Sequence, residues 1–393
     1  MHKNPKEGTY IPAFKIEECK ECNLCFDVCP GRSIDFNKLN SFVFGKTVND
    51  TLLGNHISCY IGHSTNKKIK RDVSSGGLVT SLLILALENE FIDGAIVTKM
   101  RKERPLEPEV FIARTSEEII SAAGSKYCPV PVNTKIREVL TRNERFAIVG
   151  LPCHIQGLRK AETINRKLRE RMVLHMGLFC LHTVSFLGTE FLLQRMNVKN
   201  EDVVKLDYRG SGWPGGMTVE LRNGRKRFLP YFSYWNPLFG PFFFTPIRCL
   251  LCSDGTNELS DISFGDAWLP ELMNSNAGES LIITRSEIGE QILREAMLKK
   301  MVKIVRVSDN KVIQAQKKML IYKKKKLMAR ISALKTLGKQ VPVINPKLLK
   351  SAPIDYLRVL PICIATSIIP KQILSKHLRH IPLPFLVSVL NLW

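Results

Sequence analysis

The sequence predicts an α/β (mixed α+β) architecture, with a small cysteine-dense module in front and a basic helical extension behind. Three observations predict it. Strand-like apolar runs at 94–98 and 146–150 alternate with helix-like stretches such as 78–89, the pattern of a sheet layered with helices. Four of the eleven cysteines fall between residues 19 and 29. From Lys299 onward there are 20 Lys or Arg against 2 Asp or Glu, which leaves residues 1–298 with only +4 of the net charge of +22.

Composition sets the bounds. With 393 residues, 45% hydrophobic and 24% charged, the chain can bury a sizeable core and is neither disordered nor fibrous. Eleven cysteines in this length fall well below a small disulfide scaffold, and the first twenty residues hold no charged-then-apolar signal segment, so a reduced, cytoplasmic chain is expected. No apolar run reaches the ~18 residues of a spanning helix; the stretch 381–393 is too short. Because the basicity belongs to the extension, the body has no charge reason to bind polyanions, and no specific nucleic acid is expected.

Three segments are expected: a cluster module at 1–45, a core at 54–305 and a basic helical extension at 306–393. The first contains Cys19-x2-Cys22-x2-Cys25-x3-Cys29-Pro30. This spacing lets one tight loop offer three thiolates to the corners of a cubane, and the following proline turns the chain away, so it reads as a 4Fe-4S site. Zinc sites instead pair Cys-x2-4-Cys units across a longer loop. In two-cluster ferredoxins the fourth cysteine of such a run serves the other cluster; the sequence leaves open whether Cys29 closes its own.

Among the other seven cysteines, Cys249-x2-Cys252 has chelating spacing that suits iron-sulfur, zinc or a redox disulfide. Cys153 and Cys180 each follow a strand-like apolar run, where α/β folds place ligands. Four thiols from three segments suffice for a second cluster, with Cys59 and Cys128 as reserves; for any one of them a buried inert cysteine is the simpler reading.

A series of ordered motifs adds a family resemblance: Ser74-Ser-Gly-Gly-Leu-Val-Thr80, Gly124-Ser-Lys-Tyr127, Gly150-Leu-Pro-Cys-His-Ile-Gln-Gly-Leu-Arg159, Gly177-Leu-Phe-Cys180, Tyr208-Arg-Gly-Ser-Gly-Trp-Pro-Gly215, Arg248-Cys-Leu-Leu-Cys252 and Asp261-Ile-Ser-Phe-Gly-Asp-Ala-Trp268. Over roughly residues 54–305 the chain resembles the beta subunits of coenzyme F420-reducing hydrogenase and dehydrogenase. The resemblance implies a flavoprotein with iron-sulfur clusters that passes electrons between FAD and coenzyme F420. Relatives include ferredoxin-linked reductases and F420-linked sulfite reductases, so the resemblance fixes cofactor chemistry better than substrate. Two departures stand out: His154 stands where the family more often has glutamine, and there is one N-terminal cysteine run where some relatives have two.

With that resemblance, Ser74, Ser75, Gly76, Gly77 and Thr80 at the start of the apolar helix become candidates for the flavin pyrophosphate, since small residues and exposed amides at a helix start favour an anion. Without it they read as a helix cap. Ser125 and Lys126 are candidates for the phosphate or the reduced flavin, and Asp266 for a ribose hydroxyl or a turn cap. Trp213, and the nine aromatics of residues 228–244, are candidates for a planar lid over the coenzyme or, equally, for a subdomain core. His154 is a candidate proton donor, set against a satisfied structural histidine.

In the extension, Lys323-Lys-Lys-Lys326 is flanked by Met319, Leu320, Ile321, Leu327, Ile331 and Leu334, and further on Ile368 and Ile369 lie between Pro361 and Pro370. This reads as an amphipathic basic helix for an anionic membrane surface or an acidic partner, or as a partly solvated helix with one packed face. The expected function is an FAD and iron-sulfur oxidoreductase exchanging electrons between coenzyme F420 and ferredoxin or a redox partner subunit. The alternatives are a ferredoxin-dependent flavin reductase of another substrate and a non-catalytic electron-transfer subunit.

Overall fold

The computed structural model describes residues 1–13, 15–273, 278–345 and 349–368. Its centre is a sheet of eight strands: β1 (Ser58–Ser64), β2 (Gly94–Met100), β3 (Pro108–Ala113), β4 (Phe146–Gly150), β5 (Met172–Leu178), β6 (Ile262–Asp266), β7 (Ser280–Thr284) and β8 (Val302–Val307). They lie in the order β8-β1-β7-β6-β5-β4-β2-β3. Strands β2, β4, β5 and β6 are mutually parallel. Strand β3 is antiparallel to β2, β7 to both β6 and β1, and β8 to β1. The sheet is therefore mixed, with a parallel centre and antiparallel flanks.

Alternation along the strands gives the layers. Ala95 and Val97 of β2 join the core under α1 (Leu78–Glu88) and α3 (Glu287–Leu298), whereas Ile96 joins the opposite core with Ile155 and Leu158 of α2 (Pro152–Glu162). Helix α1 is apolar nearly all round because it is buried on most sides.

A second body is formed by the helix Phe186–Arg195 and an antiparallel sheet of Val203–Gly210, Gly216–Leu221 and Lys226–Pro230. Tyr231, Tyr234, Phe239 and Phe244 fill its core. Most of the aromatic-rich stretch is thus subdomain interior, while Phe228 and Phe232 remain exposed.

The segments outside the core pack onto it. A hairpin of His2–Asn4 and Thr9–Ile11 contacts Phe186 through Tyr10 and the Gly8 carbonyl. Ser33–Asp35 pairs in parallel with Val343–Asn345 of the extension. Of the two readings of Lys323–Lys326 the fold matches the helix with a packed face, and the packing takes in two of the lysines: Lys323 and Lys324 are buried, Lys326 lies 3.9 Å from Asp355, and only Lys325 is exposed. The apolar residues around them dock the helices onto the core, and the lysines are carried inward with them. Ile369, Pro370 and the stretch 381–393 lie outside the described residues. Among the described residues, no helix is long and apolar enough to cross a membrane.

Candidate functional site

The site gathers at the carboxyl ends of the parallel strands, where α/β sheets leave a crevice for ligands. Strand β4 ends at Gly150, Pro152 opens α2, and Cys153 follows in its first turn. Cys180 lies two residues beyond the end of β5. Asn257 pins the two strand ends, its amide donating to the carbonyls of Gly150 (2.8 Å) and Leu178 (3.4 Å). Gly177 is required there, since a Cβ would lie 2.5 Å from the Asn257 side chain. The one-turn helix Ile247–Leu250 carries Cys249, and Cys252 lies two residues beyond its end.

These four thiols share one electrostatic environment. Desolvation pushes the Cys153 thiol up, and the charges of Cys252, Cys180 and Cys249 push it further. Desolvation likewise pushes Cys180 up to about 12, with Cys249 and Cys252 adding to it and Lys323 opposing. Cys153 is exposed and the other three are half-buried, so the group lies near the surface. Among the described residues, the one set of three or more His, Cys or carboxylate donors within 4.8 Å of one another lies elsewhere.

Sequence reading missed Lys323. It is 1% exposed. Burial lowers its pKa, but the charges of Cys252, Cys180 and Cys249 outweigh this and hold it above the ordinary lysine value. A lysine inside a four-lysine run gives no sign that it points inward; that depends on where the helix docks.

The N-terminal cysteine run adjoins this group. Cys19, Cys22, Cys25 and Cys29 are all exposed, and the chain bends between them through positive φ angles at Glu21 and Asn23. Arg248, the neighbour of Cys249, donates to the Gly31 carbonyl at 2.7 Å. Lys160 of α2 reaches the carbonyls of Cys29 (3.3 Å) and Ser33 (2.7 Å). A Cβ on Gly31 would touch both the Cys29 sulfur and the Arg248 side chain.

On the other side, motifs spread over nearly two hundred residues converge on Arg209. Its backbone carbonyl accepts from Ser74 Oγ at 2.8 Å, and that hydroxyl in turn accepts from the Ser125 amide at 3.0 Å. Its guanidinium bonds the Pro214 carbonyl, the Tyr127 hydroxyl and Asp266. It also lies over the rings of Trp213, Tyr231 and Trp268, 4.7–5.2 Å from their centroids. Asp266 is therefore an ion-pair partner. The rings continue as a column: Trp213 to Trp268 (4.6 Å), Trp268 to Tyr231 (5.5 Å), Tyr231 to Trp235 (5.4 Å) and Trp235 to His182 (5.7 Å), two residues past Cys180.

This corner has the features of a ligand cradle. Arg209 Nη2 and Trp213 Nε1 are buried with no partner among the described residues. A Cβ on Gly124 or Gly210 would meet nothing within 4 Å. Gly77 caps α1 with φ +74° and no side-chain cap, leaving amides at the helix start for an anion. Other predicted groups are already engaged. Ser75 Oγ bonds Glu279 and Ser280, the Gly76 amide donates to Ser280 Oγ at 3.0 Å, and Thr80 is buried.

Two further candidates bond to their own surroundings, and His154 takes the structural of its two readings. His154 Nδ1 accepts from the Leu151 amide at 3.2 Å, and burial holds its pKa near 4, opposed by a bond to Val130. Through Nδ1 the ring caps the start of α2. Lys126 spends its ammonium on the carbonyls of Ala122, Ala123 and Gly124, and desolvation lowers its pKa to about 8. The reserve cysteines are both buried; Cys128 bonds Tyr208 and Cys59 faces Asp309.

Comparison with known proteins identifies the family. The family described as coenzyme F420 hydrogenase/dehydrogenase, beta subunit, matches through its N-terminal part over residues 59–137 and its C-terminal part over 143–310. The chain belongs to this family of beta subunits. It is 28% identical over 301 residues to the coenzyme F420 hydrogenase subunit beta of Methanothermobacter thermautotrophicus, covering 74% of this chain and 99% of that one. It is 26% identical over 315 residues to the coenzyme F420-dependent sulfite reductase of Methanocaldococcus jannaschii, covering 72% of this chain and 46% of that one. A chain of the F420-reducing NiFe hydrogenase complex from Methanosarcina barkeri has the same fold, with TM-score 0.59, 24% identity and coverage of 76% and 99%. As a member of this family, the chain is a redox protein related to F420-linked oxidoreductase subunits. Lys323 and the helices after residue 310 lie beyond the matched residues.

Proposed function

We propose that this chain is an FAD and iron-sulfur oxidoreductase that moves electrons between coenzyme F420 and a one-electron partner, either ferredoxin or a partner subunit. The convergence of Cys153, Cys180, Cys249 and Cys252 in one group, beside both the N-terminal cysteine run and the Arg209 corner, carries the reading. Cys19, Cys22, Cys25 and Cys29 would hold one 4Fe-4S cluster and the four gathered thiols a second. The flavin, when bound, supplies the conversion between two-electron and one-electron chemistry.

The chain's own residues then have distinct tasks. Ser74 and Ser125 fix the two loops against each other, and Gly124 and Gly210 leave room for the ligand. Ser75, Gly76, Gly77 and Thr80 shape the loop and helix start for a pyrophosphate, with Arg209 Nη2 as a further donor. Asp266 holds the Arg209 fork in place, and Trp213 presents an indole face and an unpaired N–H to a planar ligand. Arg248 and Lys160 clamp the exposed N-terminal run, placing it where an external partner can reach it.

The test is oxygen-free purification with iron, sulfide and flavin quantified, followed by addition of reduced F420. Bleaching of flavin absorbance is expected. Cys153→Ser or Cys252→Ser should each lose about half the iron if two clusters of equal iron content are present. Unchanged iron in both variants refutes the second cluster, and an unreduced flavin points to another donor.

A further inference from the structure

At the start of β1, three donors of different chemistry meet outside the redox site. His56 Nε2 lies 3.1 Å from Asp309 Oδ2, and Cys59 Sγ lies 3.6 Å from Asp309 Oδ1. All three ligand atoms fall within 4.8 Å of one another. We propose that His56, Cys59 and Asp309 form a zinc site whose fourth position is open to water.

The dimensions support this ion. With Zn–S of about 2.3 Å and Zn–N or Zn–O of about 2.0–2.1 Å, a tetrahedron has N···O and S···O edges of roughly 3.3 and 3.5 Å. The observed contacts reach different oxygens, 3.1 Å from His56 Nε2 to Oδ2 and 3.6 Å from Cys59 Sγ to Oδ1, and one ligand atom from each residue lies within 4.8 Å of the others, so an ion draws the three groups together around a single Asp309 oxygen. Imidazole, thiolate and carboxylate together suit zinc better than the all-oxygen shells of calcium or magnesium. His56 is already oriented, because Nδ1 lies 2.9 Å from the Gly54 carbonyl. Donation of Nδ1–H to that carbonyl leaves the Nε2 lone pair facing Asp309, as outer-shell bonds do in zinc sites. Cys59 is 1% exposed while the Asp309 side chain is 53% exposed, so an ion has a route in and a water position on the outer side.

Position gives the site a role. Cys59 lies on β1 opposite Val307 of β8, and Asp309 opens the helix Asp309–Ala315 that begins the extension. Zinc here staples the start of the extension to the central sheet, and the same extension carries Lys323 to the four thiols.

The test uses full-length protein with its native cofactors, incubated anaerobically with zinc chloride, desalted and measured for metal and zinc-edge X-ray absorption. About one zinc per chain is expected, with one sulfur and otherwise nitrogen and oxygen neighbours. Cys59→Ser and the isosteric Asp309→Asn should each weaken retention by about tenfold or more, with iron content unchanged. Asp309 is exposed enough that its variant tests the site even if Cys59→Ser folds poorly. No retained zinc, equal retention in the Asp309 variant, or a shell of three or four sulfurs would overturn the proposal. Flavin and iron results bear on the redox site alone and leave this outcome separate.

Discussion

Replacing Lys323 by methionine removes one buried charge from beside the four thiols while preserving most of the side chain's bulk. The ammonium has almost no solvent contact, and no carboxylate pairs with it among the described residues. Its charge therefore acts on the thiols with little screening. At a separation of about 6 Å and an effective dielectric of about 20, two unit charges interact by roughly 3 kcal/mol. Expressed as potential, that is about 120 mV for one electron. Reduction of the proposed cluster adds a negative charge, which the lysine favours, so Lys323→Met should lower the midpoint potential by about 50–120 mV once local relaxation is allowed for. The assay is an anaerobic redox titration followed by electron paramagnetic resonance, at matched iron content. Lys325→Met is the control, because Lys325 is exposed and its field is screened by water and salt. A midpoint within about 20 mV of the parent protein, or an equal shift in both variants, refutes the argument.

Two further outcomes follow from the geometry. Gly210→Val places a side chain where a Cβ meets nothing within 4 Å, so folding stability should move by no more than about 0.5 kcal/mol while bound flavin falls sharply. Normal flavin content in that variant would place the cofactor elsewhere. Arg159 is buried between Glu162 (3.1 Å) and Asp261 (3.2 Å), which also flank His175, so Arg159→Met should cost about 3–5 kcal/mol in denaturant unfolding. Burial raises the carboxyl pKa values there, but Arg159 and His175 outweigh it and hold both below their usual range. Their contribution is present above the unfolded carboxylate pKa of about 4 and is lost as pH falls through the folded values. Burial and Arg159 lower the His175 pKa, yet Glu162 and Asp261 raise it overall. Its contribution is complete below about pH 6.5 and declines as pH rises through the raised folded value. The stability difference between parent and Arg159→Met should accordingly shrink on acidification, and a pH-independent difference would refute this account.

The sequence by itself determined the features that depend on neighbours in the chain. Alternation of apolar runs placed strands at 94–98 and 146–150 and a helix at 78–89, which the fold realises as Gly94–Met100, Phe146–Gly150 and Leu78–Glu88, because a side chain's face follows from local backbone period. The chelating spacing of Cys249 and Cys252, and the positions of Cys153 and Cys180 after strands, were legible for the same reason. The aromatic stretch could not be assigned in advance between lid and core, since burial depends on what packs against it.

Tertiary structure decided which distant groups meet. It brought Cys180 to Cys249, Ser74 to Arg209 and Arg209 to Asp266, contacts separated by tens to hundreds of residues that no local period encodes. It also turned Lys323 and Lys324 inward from a run that composition alone assigns to a surface. A charge can occupy the interior when a partner offsets its desolvation, and here the thiols and Glu258 supply those partners only after the extension has docked on the sheet.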